Sequence, residues 1–122
     1  VIRHPMVGNT NDTMNLGNKL VPGTTVIQME ATVDELIDST GDTLKLVRKE
    51  LTTEPGAYFL VHCGGRKLGI GNRLEEVHKQ LVKEAKGVPF ICIFTFGEYG
   101  YREHSANTCG GLMLSFTGFG KE

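Results

Sequence analysis

The sequence predicts a mixed α+β domain in which about five strands form a single β-sheet with two main helices packed on it. Two observations support this fold class: two stretches with apolar residues at helical spacing, and continuous apolar stretches typical of strands between and after them. The expected order is β-β-α-β-α-β-β. A length of 122 residues with 39% hydrophobic and 22% charged residues is typical of one globular domain, residues 1–122.

The first half of the chain predicts two strands and a helix. "VIRHPMV" is a predicted strand, "NTNDTMNLGN" is rich in turn formers, and "TTVIQMEA" is a second predicted strand led by β-branched residues. Thr32 and Glu35 have the spacing of a capping box, which begins a helix that ends before "TTEPG". We expect Gly41 to kink or break this helix. Its apolar positions are Val33, Leu36, Ile37, Leu44, Val47 and Leu51.

The second half alternates strands, glycine-bearing loops and a helix. "AYFLVHC" and "PFICIFTF" are continuous apolar runs, which predicts strands covered on both faces. Between them, a glycine loop from Cys63 to Asn72 leads into the predicted helix "NRLEEVHKQLVKEAKG", with Asn72 as N-cap, Glu75 completing a capping box and Gly87 ending the helix. "GEYGYREHSANTCGG" is a long polar loop, and "LMLSFTGF" is the last strand.

Composition excludes several classes of protein. Net charge is −1, from 13 basic and 14 acidic residues, which disfavours a nucleic-acid binder. No apolar stretch reaches the ~20 residues of a membrane span, and the start lacks the apolar region of a signal peptide. Three cysteines, an odd number, argue against a disulfide framework and favour a cytoplasmic location. Because the first residue is Val, we expect a domain excised from a longer protein.

Two loops could form a binding site, Cys63–Asn72 and Gly97–Thr108. If the strands before them are adjacent and parallel, both loops open at the same carboxyl edge, where α/β sheets bind ligands. Arg66 offers a planar fork for a carboxylate or phosphate, and Glu98 a partner for an ammonium group, which together suit a small zwitterion.

A nucleotide is disfavoured at these loops. Two glutamates, Glu75 and Glu76, lie at the start of the following helix and would repel a polyanion. The spacing of the glycines at 64, 65, 69 and 71 matches neither a dinucleotide fingerprint nor a P-loop. No cofactor is predicted.

Other interpretations of the same residues stay open. Arg66 and Glu98 could form a structural ion pair without a ligand. Cys63, His104 and Glu98 could form the triad of a cysteine-dependent acyl-transfer enzyme, although strand alternation points His62 away from Cys63. A metal site built from Cys63, Cys92, Cys109 and His104 lacks any paired ligand spacing. The loops could also dock a neighbouring domain, which would make the chain a protein-interaction module.

The order of several motifs resembles the FIST C-terminal domain. These are "YFLVHCGGR", a helix with an early Glu, "PFICIFTFGEYG", and "ANT" before a final apolar strand; "IRHP" and "VPGTTVIQM" resemble the start of that domain. The resemblance implies a non-enzymatic sensory domain of bacterial-type signal-transduction proteins that binds a small ligand, amino acids being the usual suggestion. It also implies two partner domains, an N-terminal FIST domain and a signalling output domain. The expected ligand-binding residues are Cys63, Gly64, Gly65, Arg66, Gly97, Glu98 and Asn107.

Overall fold

The computed structural model describes residues 2–100 and 108–122. Its elements in chain order are β1 (Pro5–Gly8), β2 (Met14–Leu16), α1 (Val33–Glu50), β3 (Pro55–Cys63), α2 (Gly64–Ile70), a 3-10 turn (Gly71–Arg73), α3 (Leu74–Ala85), β4 (Phe90–Thr95), β5 (Glu98–Gly100), β6 (Thr108–Gly110) and β7 (Leu114–Gly120). The mixed α+β class is therefore confirmed. None of the helices in these two ranges is long and apolar enough to cross a lipid bilayer.

The prediction of one sheet of about five strands is wrong, because the described strands form three sheets. The central sheet has three strands in the order β4-β3-β7, and the hairpins β1-β2 and β5-β6 form two separate two-stranded sheets. In the central sheet β3 is parallel to β4 and antiparallel to β7. The parallel pair is connected through α2 and α3, which supply the crossover that such a pair requires.

The N-terminal region departs furthest from expectation. The predicted strand "TTVIQMEA", residues 24–31, has no strand in the structure, and the second strand lies instead in the turn-rich stretch, at Met14–Leu16. A local turn explains this choice: Asn9 N–H donates to Thr13 O, and Asp12 adopts a positive φ of 59°, so β2 folds back onto β1. Apolar residues in 24–31 therefore stay exposed.

Helix α1 begins where the capping box predicts. Thr32 Oγ1 accepts from Glu35 N–H at 3.2 Å, and Glu35 Oε2 accepts from Thr32 N–H at 2.7 Å. The expected break at Gly41 does not occur, because the helix is continuous from Val33 to Glu50. Gly41 is buried at the contact between α1 and α3, where a Cβ would lie 3.4 Å from the Gln80 and Glu84 side chains, an ordinary van der Waals distance.

The glycine-rich stretch after β3 is helical, which corrects the prediction of a loop. Cys63 is the N-cap of α2, and its Sγ accepts from Gly65 N–H at 3.3 Å. The glycines make close packing possible. A Cβ at Gly64 would lie 3.1 Å from Thr95 O, and one at Gly65 would lie 2.8 Å from Leu112 Cδ2. The first two glycines are therefore explained by crowding against neighbouring segments.

Helix α3 lacks the predicted N-terminal cap. It begins at Leu74 after Arg73, with no side-chain cap bond, so Asn72 does not act as N-cap and Glu75 does not complete a box. The preceding 3-10 turn displaces the helix start by one residue from the expected position, so Arg73 and not Asn72 is the N-cap residue. The C-terminus of α3 agrees with the prediction. Lys86 adopts the left-handed backbone conformation and Gly87 has a φ of +85°, and these two residues end the helix.

The core lies between the central sheet and the two long helices. Buried residues of β3, α1, α2 and α3 form it: Ile37, Leu44, Tyr58, Leu60, Ile70, Val77, Leu81 and Ala85. Strand alternation turns the other face away from the helices. On that face Phe59 is 37% exposed, Ile91 58% and Phe119 53%. The predicted cover on both faces is therefore wrong, because both long helices pack on the same side.

The two hairpins are tied together beside the central sheet. Gly111 N–H donates to Ile2 O at 3.4 Å, and Arg3 Nη1 donates to Cys109 O at 3.3 Å. Ser115 of β7 donates its hydroxyl to Tyr99 O of β5. These bonds hold β5 next to the carboxyl end of β3.

Candidate functional site

The carboxyl ends of β3 and β4 lie at the same edge of the sheet. Cys63 is opposite Thr95 in the parallel register, so α2 and β5 leave the sheet side by side. The sequence predicted that both segments begin at one edge if the two strands are adjacent and parallel, and this prediction is confirmed. This arrangement brings Arg66, on α2, and Glu98, at the start of β5, to the same region of the molecule.

Cys63 is buried and accepts two backbone hydrogen bonds. Its Sγ accepts from Gly65 N–H at 3.3 Å and from Leu112 N–H at 3.2 Å, and the residue is 3% exposed. Leu112 belongs to the turn between β6 and β7, so Cys63 also links α2 to the segment that covers it.

Arg66 is buried and is held from one side by α1. Its Nη2 donates to Leu36 O at 2.6 Å and to Ser39 Oγ at 2.7 Å, and the residue is 7% exposed. Burial lowers the pKa of Arg66, while the charges of Cys63 and Glu98 oppose that shift. Its Nε finds no hydrogen-bond partner within the described residues. One donor of the guanidinium is thus available for a further acceptor.

Glu98 is fully buried, with 0% exposure, at the start of β5. Its Oε1 accepts from Thr95 Oγ1 at 3.0 Å, and its Oε2 accepts from Met113 N–H at 3.5 Å. A buried carboxylate is stable only when such donors or a cation compensate for lost hydration.

Arg66 and Glu98 do not pair with each other directly. No oxygen of Glu98 lies within 4.0 Å of an Arg66 nitrogen, the limit within which the ion pairs of the described residues fall. The charge of Glu98 nevertheless opposes the lowering of the Arg66 pKa that burial causes. The structure therefore does not contain the direct ion pair that the sequence left open.

His62 belongs to the helix-covered face and lies against α1. Its Nε2 lies 3.4 Å from Thr40 Oγ1 of α1, and its Nδ1 lies 3.3 Å from Cys63 O. Burial lowers the pKa of His62 to about 4, so the ring is neutral at pH 7. The expectation that His62 and Cys63 point in different directions is confirmed.

The sequence did not identify the residues that hold the two charged groups. Ser39 and Leu36 belong to α1, about thirty positions before Arg66, and no local pattern connects them. Thr95 could have been noticed, since it is a hydroxyl residue at a strand end three positions before Glu98.

The remaining predicted positions are only partly placed. Gly64 and Gly65 begin α2, and Gly97 precedes β5, where a Cβ would meet Cys109 Sγ and Tyr99 at an ordinary 3.8 Å. Asn107 and His104 lie outside the described residues. Within residues 2–100 and 108–122, no three potential ligand side chains gather around a point that could hold a metal ion.

A surface groove of about 370 Å³ lies elsewhere, between α1 and α3. None of the predicted site residues lines it. Arg73 lines the groove and pairs with Asp34 at 2.8 Å and with Glu76 at 2.7 Å, so its guanidinium is already bound. The groove also lacks buried polar atoms in need of a partner. We therefore place the candidate site at Arg66 and Glu98.

Comparison with known proteins gives one match. The family model of the FIST C domain matches residues 1–101, which include every predicted site residue except Asn107. No curated protein and no solved structure matches the chain. The match covers well over half of the 122 residues. The chain therefore belongs to the FIST C domain family, a family of domains found in signal-transduction proteins.

Proposed function

We propose that the domain is a cytoplasmic sensor that binds a small zwitterionic ligand, an amino acid, between Arg66 and Glu98. The observation that carries the proposal is a pair of buried, opposite charges that follow the same edge of the sheet and do not form an ion pair. Burying a charge without a direct partner costs several kcal/mol. Natural proteins retain such buried charges mainly at functional sites. A ligand with one carboxylate and one ammonium group would compensate for both charges.

The free donor of Arg66 indicates how a carboxylate would bind. Nη2 is already committed to Leu36 O and Ser39 Oγ, whereas Nε has no partner within the described residues. A carboxylate oxygen at Nε would receive a charge-assisted hydrogen bond from a group that α1 already holds in place. An ammonium group would bind Glu98, and the Cys63, Gly64, Gly65, Gly97 and Asn107 positions would surround the ligand.

The site is closed, and this property suits a sensor. Cys63, Arg66 and Glu98 are each at most 7% exposed, so a ligand enters only if the β5–β6 hairpin moves away from α2. A ligand that binds one conformation better than the other shifts the population between them. We propose that the neighbouring N-terminal FIST domain and an output domain respond to that shift.

The direct test is calorimetric titration with each of the twenty amino acids. We expect millimolar or tighter binding of at least one, lost in Arg66→Lys, which keeps the charge but not the planar fork, and in Glu98→Gln. Arg73→Gln is the matched control, since Arg73 forms surface ion pairs away from the site. If no amino acid binds the wild-type chain at millimolar concentration, the zwitterion proposal is wrong.

A further inference from the structure

One edge of the central sheet carries none of the features that normally prevent strands from pairing with other chains. β4 is an outer strand in the order β4-β3-β7, and its sequence "FICIFT" has no charged residue and no proline. Natural proteins usually protect such edges with lysine, proline or a covering segment. No described strand pairs with the outer side of β4, so within residues 2–100 and 108–122 its backbone groups are available for pairing.

The open face of the same sheet is apolar next to this edge. Phe59, Ile91 and Ile93 lie on that face, and they are 37%, 58% and 36% exposed. Phe96, just beyond the end of β4, is 96% exposed. A contiguous apolar surface beside an unpaired edge is characteristic of an interaction site.

The chain also contains an unpaired segment that has the composition of a strand. Residues 25–31 make no backbone hydrogen bond within the described residues. In this segment Val26 is 66% exposed, Ile27 81% and Met29 75%. In an extended conformation Ile27 and Met29 would lie on one face and Val26 on the other. The segment is nearly uncharged, with Glu30 as its one ionisable residue.

We propose that residues 24–31 of one copy of this chain add as a strand to the β4 edge of a second copy, and that two copies exchange strands reciprocally. Residues 24–31 number eight and β4 has six, so one strand is long enough to cover the edge. Ile27 and Met29 would extend the apolar face formed by Ile91 and Ile93. With a net charge of −1 per copy, electrostatic repulsion between copies is small.

Reciprocal exchange satisfies both unpaired features of the chain at once. Main-chain hydrogen bonds to an exposed edge supply affinity, and alternate side chains supply specificity. A two-fold symmetric arrangement uses the same two surfaces from each copy. It therefore closes at a dimer, in which the β4 edge of each copy is covered. This interface is separate from Arg66 and Glu98, and it does not depend on the proposed ligand.

The first experiment is sedimentation equilibrium of the chain over a range of concentrations. We expect a monomer–dimer equilibrium. Ile91→Lys/Ile93→Lys and, separately, Ile27→Lys/Met29→Lys should each raise the dimer dissociation constant by at least about tenfold. Leu46→Lys/Val82→Lys is the matched control, because these exposed apolar residues lie on helices and add the same charge. Circular dichroism verifies that each variant is folded. If Ile91→Lys/Ile93→Lys unfolds the chain, Ile27→Lys/Met29→Lys still tests the proposal.

Hydrogen exchange locates the interface. Amides of residues 25–30 should become protected at least about tenfold as the dimer forms, with the same concentration dependence as sedimentation. The proposal is overturned if the wild-type chain stays monomeric at millimolar concentration. It is also overturned if a dimer forms while these amides exchange freely, or if they are protected to the same degree in the monomer.

Discussion

Individual residues in this domain are placed by contacts that lie far apart in sequence. Arg66 is the clearest case. Its chemistry made it a candidate, but its orientation depends on Leu36 O and Ser39 Oγ in α1. Glu98 depends in the same way on Thr95 and Met113. Sequence reasoning therefore predicted the sheet edge that these two charged groups share, but not that they would be buried without touching.

His62 should make stability dependent on pH. Burial lowers its pKa to about 4, from 6.5 for an unperturbed histidine. The unfolded chain therefore binds the proton more readily than the folded chain. This contribution to stability is fully present above pH 6.5 and is lost as pH falls toward 4. Between pH 7 and 5 the loss should be about 2 kcal/mol.

Urea unfolding at several pH values checks this effect. His62→Gln should lose less stability between pH 7 and 5 than the wild-type chain does. The comparison His78→Gln alters an exposed histidine and should keep the wild-type slope. Equal slopes for all three proteins would show that His62 does not control the acid response.

Among the elements, the long helices and the central strands were predictable, and the short elements were not. The capping box, the apolar spacing of α1 and the apolar runs of β3 and β4 depend on local sequence, and each element forms within a few residues of its expected bounds. The glycine stretch after Cys63 appeared to be a loop. It is helical because Gly64 and Gly65 fit against Thr95 and Leu112, contacts that sequence does not reveal.

The two predicted helix caps should differ in their effect on stability. Thr32→Ala removes the Oγ1 acceptor for Glu35 N–H, one of the two bonds of a formed capping box, and should lower the free energy of unfolding by about 1 kcal/mol. Asn72→Ala should change it by less than about 0.5 kcal/mol, because α3 has no side-chain cap and Asn72 is exposed. Denaturant titration measures both variants. A loss for Asn72→Ala as large as that for Thr32→Ala would mean that α3 is capped in solution.

At the scale of the whole molecule, the parallel pairing of β3 and β4 is the condition that the sequence left open. The structure meets this condition, and the pairing brings Arg66 and Glu98 to one edge of the sheet. The number of strands in the sheet and the faces that the helices cover were not predictable. An apolar strand has the same composition whether helices cover both faces or, as here, one face. Residues 24–31 likewise have strand composition, but pairing requires a neighbouring edge that local sequence does not specify.

The β6–β7 turn, which covers Cys63, should open more easily when the Leu112 side chain is shortened. Leu112 packs its side chain against Gly65 and donates its N–H to Cys63 Sγ, so it joins the β6–β7 turn to α2. Leu112→Ala removes much of the apolar contact, and local opening should become easier by about 1.4 kcal/mol. Iodoacetamide should then label Cys63 about tenfold faster, since its thiol is 3% exposed when the cover is closed.

Peptide-level mass spectrometry distinguishes this local opening from general destabilisation. Cys92 lies among residues packed against the core on the helix-covered face, so its labelling reports wider unfolding. We expect the Cys92 rate to stay close to the wild-type rate in Leu112→Ala. Leu68→Ala, at a residue 77% exposed on α2, should alter neither rate. If Cys63 and Cys92 accelerate together, Leu112 contributes to overall stability and the site has no separate cover. If only Cys63 accelerates, the hairpin moves independently of the core, as a ligand entering the closed site requires.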